Sequence, residues 1–417
     1  MNKIIIKEPT IYNNRIKYEY QVEGEWEKYF TEQRTSFIEY SDDISNMHES
    51  IAVVPLICNI LPMVWLCDAT IEVSYVDKDF LDHVEDIKKG YKDMYPMFEF
   101  KGNIAANSYE NQPVSNKYEA GAFFSGGVDA YTTLLRHLDE KPVLMTIWGA
   151  DIKLSDKKGW DNVKNHINSV GKEFDLPVLY IKSDFRAVLD EGKCSDFVKK
   201  SGDEYWHGFQ SGISVISHAA PVAFIYGMKK AYIASSFSED VKGSYTCASD
   251  PAIDNNVYYC KCKTIHDGYD MTRIEKVKYI VKQSETKNKR VSLRVCWESS
   301  GGKNCCHCEK CYRTILEVVA AGKNPNNYGF TWDDEHIKQC CYDMRHKIRS
   351  AQFNIDYFYP DIQKSIVDNK ASIVDFDKYQ WLLDIDFSRF NEMQMKKLYY
   401  SVVGRVVRKI IRKIKRG

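Results

Sequence analysis

Between residues 120 and 234 the sequence alternates short apolar segments with longer segments of helical periodicity, and this alternation restricts the possible folds most strongly. The apolar segments predict strands at residues 120–124, 142–148, 176–181 and 230–234. The segments between them predict helices at residues 130–137, 160–174 and 211–226. Strands joined through helices lie parallel, so the pattern predicts an α/β fold with a buried parallel sheet. Ligands of such sheets bind beyond the carboxyl ends of the strands, so the turns after Phe124, Trp148 and Ala234 are candidate sites.

Two regions of different character flank this α/β segment. Residues 1–118 combine short β-rich stretches with an amphipathic helix, which predicts an N-terminal α+β accessory domain. Residues 102–117 are rich in Asn, Ser and Gly, so we predict a linker and the first domain boundary there. The α/β domain then covers residues 119–325, and residues 326–417 are predicted to form a helical C-terminal region.

The apolar run from Ile51 to Cys67 is the stretch that most resembles a membrane segment. Its length is at the lower limit for crossing a bilayer, and Pro55 and Pro62 would interrupt the helical hydrogen bonds. We therefore expect a buried core helix or a kinked pair of helices, and no transmembrane segment. The N-terminus lacks the apolar core of a signal peptide, so we expect a cytoplasmic protein.

The turn after the first predicted strand of the α/β domain reads Ser125-Gly126-Gly127-Val128-Asp129. Two adjacent glycines let the backbone approach a ligand closely. The N–H groups of the turn and of the following helix N-terminus make an anion site, to which Ser125 adds a hydroxyl donor. Asp129 is unusual beside a phosphate unless it binds a metal ion or caps the helix. An ordinary strand–helix turn is the alternative.

This turn resembles the pyrophosphate loop, Ser-Gly-Gly-x-Asp-Ser, of the PP-loop ATP pyrophosphatase superfamily. Those enzymes cleave ATP to AMP and pyrophosphate while they adenylate a substrate. The resemblance implies an adenine nucleotide α-hydrolase-like sheet with helices on both faces, and ATP with Mg²⁺ bound by residues 125–129. It also implies catalytic roles for Ser125 and Asp129. The chain departs from the pattern at Ala130, where the family usually has Ser, and this departure removes one phosphate donor.

Four cysteines further along the chain have the spacing C-x8-C-x2-C-x2-C: Cys296, Cys305, Cys308 and Cys311. A Cys-x-x-Cys pair bends its backbone so that both thiolates reach one metal ion, and four thiolates complete a tetrahedral shell. Structural zinc fits best, while an iron–sulfur cluster or a redox-active Cys-x-x-Cys pair stays open from the spacing alone. Cys306 and His307 lie inside the motif and could substitute as ligands, although the regular spacing favours Cys305.

The loop and the four cysteines together are similar to the 7-cyano-7-deazaguanine synthases of queuosine biosynthesis, over about residues 120–321. In that family the cysteines hold a structural zinc ion, and ATP activates the carboxylate of a deazapurine. A Thr-Lys-x-Glu segment of the family directs a cation toward the phosphates; this chain has Arg273 at the Lys position and Lys276 nearby. Either cation could neutralise the departing pyrophosphate. A solvated face of an amphipathic helix is the alternative.

Further candidates lie at strand ends and in an aromatic loop. Trp148 ends a predicted strand, and Ser235 and Ser236 follow another; all three are expected to contribute to nucleotide binding. The Tyr-Trp-His-Gly segment at residues 205–208 could form a wall for an adenine or deazapurine ring, although core packing is the better interpretation of Trp206. Its histidine, His207, is a candidate site residue.

Two segments between the loop and the cysteines are predicted to be turns. Asp250-Pro251 and His266-Asp267-Gly268 have the residue types that turns favour. A role of His266 and Asp267 in proton transfer is the alternative interpretation.

The C-terminal end is strongly basic. Residues 396–417 contain nine Lys and Arg and no acidic residue, so the other residues carry a charge of −9 in a chain whose net charge is zero. Val and Ile recur there at helical spacing, which predicts a basic amphipathic helix. Such a helix could contact a protein partner, nucleic acid or an anionic membrane surface, or pack on its own domain.

These features predict an enzyme that binds ATP, Mg²⁺ and Zn²⁺ and adenylates an acidic small molecule or macromolecule, releasing AMP and pyrophosphate. The substrate would be a carboxylate-type group, either deazapurine-like or linked to a macromolecule. The long flanking regions suggest a specialised relative that works with protein partners, for example in antiphage defence. The alternatives are a non-catalytic nucleotide-binding scaffold and a PP-loop enzyme that modifies tRNA through the basic tail.

Overall fold

A computed structural model describes residues 2–296, 302–347 and 358–387. These residues form two compact units. The first unit contains residues 2–276 together with Gly302, and the second contains the other described residues from Val277 onward. The basic amphipathic helix predicted within residues 396–417 lies outside the described residues.

The first unit is built around one sheet of 12 strands. The strands are β1 (Asn2–Ile6), β2 (Thr10–Tyr12), β3 (Arg15–Glu23), β4 (Thr35–Tyr40), β5 (Ala69–Asp77), β6 (Asn103–Tyr109), β7 (Ala120–Phe123), β8 (Val143–Trp148), β9 (Val178–Ser183), β10 (Lys230–Ala234), β11 (Tyr258–Tyr259) and β12 (Cys262–Asp267). The α-helices that lie or begin in this unit are α1 (Glu49–Ala52), α2 (Val54–Leu66), α3 (Lys78–Met94), α4 (Val128–Arg136), α5 (Lys157–Phe174), α6 (Glu191–Val198), α7 (Ser211–Ser217), α8 (Ala220–Tyr226), α9 (Pro251–Asp254) and α10 (Arg273–Thr286).

The parallel part of the sheet has the spatial order β12, β10, β7, β8, β9. Of these strands β7 comes first along the chain, and the others follow outward from it in both directions. Every residue of β7 is buried, as expected for a central strand that is covered on both faces. The predicted α/β class with a parallel sheet is confirmed. The chain order reverses between β7 and β10, so a ligand is expected in the crevice at their carboxyl ends.

Strands from the N-terminal region extend the same sheet beyond β9. β4 is antiparallel to β9, β3 and β1 continue the antiparallel part, and β5 and β6 lie parallel to β1. Strands on both sides of residue 118 therefore share one sheet, while the three-domain division with boundaries near residues 118 and 325 stays a prediction. The linker predicted at residues 102–117 is wrong for β6, whose polar residues are tolerated because most of them are exposed.

Two other local predictions are corrected. His266 and Asp267 do not form a turn, because they are the last two residues of β12 and lie beside Ile233 and Ala234 of β10. The turn begins only at Gly268, whose φ angle is 81°. The single helix predicted over residues 211–226 is two helices, α7 and α8, and the proline in the first turn of α8 needs no N–H there.

The apolar run 51–67 lies in the core, as predicted. It forms α1 and α2, and every residue of α2 except the last is buried. The one polar side chain of α2, Asn59, donates to the carbonyl of Phe185 at 2.9 Å and accepts from Gln210 at 2.8 Å, so its burial leaves no amide group unmatched. No helix in residues 2–296, 302–347 and 358–387 is both long and apolar enough to cross a membrane.

The second unit is helical, as the C-terminal region was predicted to be. Its α-helices after α10 are α11 (Glu309–Ala320), α12 (Asp334–Lys347), α13 (Phe358–Asp368) and α14 (Gln380–Leu383). Nearly all of α11 is buried, and the Tyr359 hydroxyl donates to Glu309 at 3.1 Å from α13. The helix is therefore the central element of this unit, and its N-terminal residue directly follows Cys308.

Candidate functional site

The glycine turn lies directly at the carboxyl end of β7. Gly126 has a φ angle of 81°, which favours glycine, whereas Gly127 has a φ angle of −78° and precedes the first residue of α4. The Gly127 N–H donates to the Ser125 hydroxyl at 3.3 Å. Ser125 is exposed, and Asp129 lies in the first turn of α4. The predicted arrangement of strand, glycine turn and helix N-terminus is therefore present.

The contrast between the two glycines gives a test of the loop conformation. Any other residue at position 126 has to adopt a left-handed backbone conformation, which costs about 1–2 kcal/mol. The backbone conformation at position 127, in contrast, suits any residue. We expect Gly126→Ala to lower the thermal midpoint clearly more than Gly127→Ala does, measured by circular dichroism. Equal midpoints for the two variants would contradict the loop conformation described here.

Two cationic side chains from the start of α10 converge on Asp129. Arg273 Nη1 lies 3.4 Å from one carboxylate oxygen, and Lys276 Nζ lies 3.2 Å from the other. The side chains of Arg273 and Lys276 are only 6% and 2% exposed, whereas that of Asp129 is 23% exposed. Buried cations are costly without anionic partners, so a solvated helix face does not describe these two residues.

The loop after β10 completes this group. The carbonyl of Ser235 accepts a hydrogen bond from Lys276 Nζ at 2.6 Å, which fixes the ammonium group between the ends of β7 and β10. The Ser235 hydroxyl donates to the carbonyl of Phe237 at 2.6 Å, so the side chain of this buried residue stabilises its own turn. Ser236 is exposed. Ser235 thus positions a cation, and Ser236 is the serine of this pair whose side chain faces solvent.

Trp148 lies at the carboxyl end of β8, and its ring contacts neighbouring side chains. Its indole stacks on Trp160 with ring centroids 5.3 Å apart, and Lys182 Nζ lies 5.2 Å from its ring centroid. The indole N–H donates to the carbonyl of Lys153 at 3.1 Å. Nucleotide contact by Trp148 stays a prediction, and any such contact has to use the remaining exposed part of the ring.

The four predicted cysteine ligands come together in the second unit. Their sulfur atoms all lie within 4.8 Å of one another, with 3.8 Å between Cys296 and Cys308 and 3.9 Å between Cys305 and Cys311. Four sulfurs at about 2.3 Å from one zinc ion, at tetrahedral angles, would stand about 3.8 Å apart. The cluster can therefore hold a metal ion such as zinc.

Hydrogen bonds in the polypeptide around the cysteines hold the two ligand segments together. The Cys308 N–H donates to Cys305 Sγ at 3.3 Å, as in a tight Cys-x-x-Cys bend. Asn304 joins the two ligand segments, because its side-chain oxygen accepts from the N–H of Cys296 at 3.3 Å and its amide donates to the Leu293 carbonyl at 2.8 Å. These bonds hold Cys296 beside the bend without using a sulfur atom.

The two possible substitutes for Cys305 point elsewhere. The sulfur of Cys306 accepts a hydrogen bond from the N–H of Thr331 at 3.3 Å, and its φ angle is 59°. His307 is exposed, and its Nδ1 contacts the carbonyl of Cys305 at 2.7 Å. Among the described residues the cluster thus has the four members that the regular spacing predicts.

No family model, curated protein or solved structure matches this chain. The resemblance to the PP-loop superfamily therefore rests on the residues of the loop, the α10 cations and the cysteine spacing alone. In the structure the two α10 cations contact Asp129 of the loop, and the four cysteine sulfur atoms lie together. The family assignment stays a prediction.

The two candidate proton-transfer residues, His266 and Asp267, each contact an oppositely charged or hydrogen-bonding side chain within the fold. His266 Nδ1 lies 2.7 Å from Asp254 with both side chains buried, and burial raises the pKa of Asp254. Asp267 contacts His137 Nε2 at 3.0 Å and Arg136 Nε at 3.3 Å. Burial raises the pKa of Asp267, but the hydrogen bond from His137 and the charge of Arg136 help to bring its pKa below the usual range. Proton transfer by His266 and Asp267 stays a prediction.

Proposed function

We propose that this chain is an ATP-dependent enzyme that adenylates a carboxylate-type substrate and releases AMP and pyrophosphate. The observation that supports this most is the convergence of Arg273 and Lys276 on Asp129, in the first turn of the helix that follows the glycine turn. The proposal includes an adenine nucleotide α-hydrolase-like fold, which agrees with the order of the parallel strands and with a ligand crevice between β7 and β10.

The charges of the site suit a triphosphate. The N–H groups at the start of α4 and two buried cations favour an anion with several charged oxygens. Bound phosphates would compete with Asp129 for Arg273 and Lys276 and would release its carboxylate. That carboxylate could then hold a Mg²⁺ ion, which would neutralise charge on the phosphate oxygens.

The residues of the site have separate roles in this proposal. The glycine turn and the Ser125 hydroxyl would hold the leaving pyrophosphate, and Lys276, fixed by the Ser235 carbonyl, would stabilise the negative charge that develops on it. Ser236 and the loop after β10 would contact the nucleotide. A zinc ion at the four cysteines would serve the second unit structurally, because four thiolates leave no open coordination position.

The proposal is tested by ATP–pyrophosphate exchange with a panel of carboxylic acids, deazapurine acids included, together with chromatographic measurement of AMP. We expect Mg²⁺-dependent exchange with at least one acid, and a strong loss in Asp129→Asn. Asp139→Asn is the matched control, because this exposed aspartate lies just beyond the end of α4. ATP binding without exchange for every acid of the panel would favour a nucleotide-binding scaffold, and exchange that is unaffected in Asp129→Asn would contradict the assignment of the loop.

A further inference from the structure

The strand β6 lies at one end of the 12-stranded sheet, and among the described residues it pairs with β5 alone. A strand at the edge of a sheet presents a row of backbone N–H and C=O groups to which another extended chain can pair. At the opposite end of the sheet, β11 has only two residues, whereas β6 has seven. The β6 edge is therefore the longer of the two edges at which the sheet could continue.

β6 lacks the features that commonly prevent pairing between edges. Proteins protect exposed edges with charged side chains, with proline, with bulges or with very short strands. The sequence of β6, Asn-Ile-Ala-Ala-Asn-Ser-Tyr, contains no charged residue and no proline. Its ladder with β5 has one irregularity, where the step from Glu72 to Tyr75 opposes the shorter step from Ala105 to Asn107. The extra residue is therefore in β5, and β6 itself is regular.

The side chains of β6 leave its backbone open to a further strand. On the exposed face, the small side chain of Ala105 lies between Asn103 and Asn107. On the other face, Ile104 and Ala106 are partly buried and pack against the core. A strand added at this edge would cover the remaining exposed parts of these two side chains and would extend the buried face of the sheet.

A second copy of β6 is complementary to the first. If the two strands run antiparallel about a two-fold axis that is perpendicular to the sheet at Ala106, all residues of each strand are paired. Ala106 then lies opposite its own copy, and Ala105 lies opposite Asn107 of the second copy. No like charges meet along the strands, because β6 contains no charged residue. The same axis keeps the core-facing sides of both strands on one face of the continued sheet.

The residues that flank β6 carry opposite charges. Lys101 lies just before the strand, Glu110 directly follows it, and their side chains are 59% and 60% exposed. In antiparallel pairing about Ala106, Lys101 of each copy comes next to Glu110 of the other copy. Each of the two side chains already has an exposed ion-pair partner within the chain, and exchanging one exposed partner for another costs little. The two ends of the strand are therefore complementary in charge across the axis.

Exposed aromatic rings lie at the carboxyl end of the same strand. Tyr109 stacks on His48 with ring centroids 3.7 Å apart, and it lies edge-on to Tyr75 at 6.2 Å. Tyr109 and Tyr75 are 40% and 39% exposed. Tyrosine is enriched in protein–protein interfaces, and in the two-fold arrangement Tyr109 lies opposite Asn103 of the second copy. The pairing of the strands would thus cover part of this aromatic group.

We propose that β6 pairs with β6 of a second copy of this chain, antiparallel and centred on Ala106, so that two sheets become one continuous sheet. The uncharged strand and the complementary charges of Lys101 and Glu110 favour a second copy over an unrelated extended peptide. This inference is independent of the proposed adenylation, since β6 contains no residue of the glycine turn, the α10 cations or the cysteine cluster. One strand pair is a small interface compared with the about 1,200 Å² of stable dimers, so we expect a dimer that dissociates on dilution.

Sedimentation velocity of the full chain at a series of concentrations measures the association, and two double variants test its geometry. In Ala105→Lys/Asn107→Lys, lysines would lie directly opposite lysines across the axis, whereas in Ala105→Lys/Asn107→Glu each lysine would lie opposite a glutamate. Like charges directly opposite one another destabilise strand pairing, so we expect the first variant to raise the dissociation constant at least about tenfold. The second variant should stay within about threefold of the wild type, because its opposite charges attract.

The two double variants are matched controls for each other. Both change the same two exposed positions, and both lose the hydrogen bond from the Asn107 amide to the Ser74 carbonyl at 3.2 Å. Both should therefore keep the wild-type circular dichroism spectrum. Hydrogen exchange of the wild type locates the interface independently of any variant: the amides of β6 should exchange more slowly in the dimer than in the diluted monomer, and those of β11 should not change.

Three results would overturn the proposal. A wild-type chain that stays monomeric at its highest soluble concentration excludes the pairing of two copies. A dimer in which the exchange of β6 does not depend on concentration is formed through a different surface. Equal dissociation constants for the two double variants contradict the antiparallel register about Ala106. If the variant with two lysines fails to fold, the hydrogen exchange of the wild type still decides between the β6 edge and another surface.

Discussion

Cys305→Ser is expected to disrupt the second unit, whereas Cys306→Ser next to it should be close to wild type. In a four-thiolate site, metal binding and folding are coupled, and structural zinc sites in small domains supply about 10–16 kcal/mol at neutral pH. Cys305 belongs to the cluster and accepts the Cys308 N–H. Its loss removes one ligand and the anchor of the bend that precedes α11, which is the central helix of this unit.

The neighbouring cysteine provides a control that changes the same atom in the same loop. The sulfur of Cys306 accepts from the Thr331 N–H and takes no part in the cluster, and a serine oxygen can accept the same bond. We expect a change of at most about 1 kcal/mol for Cys306→Ser, within the range of a single hydrogen bond. Both substitutions are made in the full chain, so each variant is compared with the same wild-type protein.

Metal content and local stability are the two measurements. Elemental analysis should find one zinc per wild-type chain and per Cys306→Ser chain, and a strongly reduced amount in Cys305→Ser. Hydrogen exchange should show lost protection of α11 in Cys305→Ser and after chelation of the wild type. Iron in place of zinc, or unchanged protection of α11 in metal-free protein, would show that the site is not structural zinc.

Features that are local in sequence could be predicted well. The four cysteines span only 16 residues, so their spacing alone was enough to separate Cys305 from Cys306. The strand before the glycine turn and the helix after it are also adjacent in sequence, and the alternation of apolar and helical segments extends over the parallel core. Each of these sequence patterns depends on residues that are a few positions apart, and the structure contains the elements that the patterns predict.

The remaining features depend on contacts between distant parts of the chain. Tyr95 and Asp203 are 108 positions apart, and neither residue type signals a site by itself. The hydrogen bonds of Asp203 with Tyr95 and His207 therefore could not be predicted from the sequence, although His207 is a candidate site residue there. β6 was missed for a related reason, because an exposed strand at the edge of a sheet can have the polar composition of a loop. Pairing with β5 accounts for the strand conformation of β6.

Lys276→Met is expected to reduce AMP formation by about 10²–10³-fold, which corresponds to losing one preorganised group that stabilises transition-state charge. The buried ammonium is fixed by Asp129 and the Ser235 carbonyl, so it would meet the phosphates without reorganisation. The decrease should be mainly in kcat, because a group that stabilises the departing pyrophosphate acts more in the transition state than on bound ATP.

The variant should still fold, since methionine suits the buried stem and Asp129 retains Arg273 as a partner. Lys278→Met, an exposed lysine on the same helix, is the control for the loss of one positive charge. If Lys276→Met raises KM while kcat stays unchanged, the lysine stabilises bound ATP and the transition state equally and has no specific role in the chemical step. If both variants retain full activity, the buried cation at the ends of β7 and β10 serves to stabilise Asp129, and the charge-neutralising role passes to Arg273.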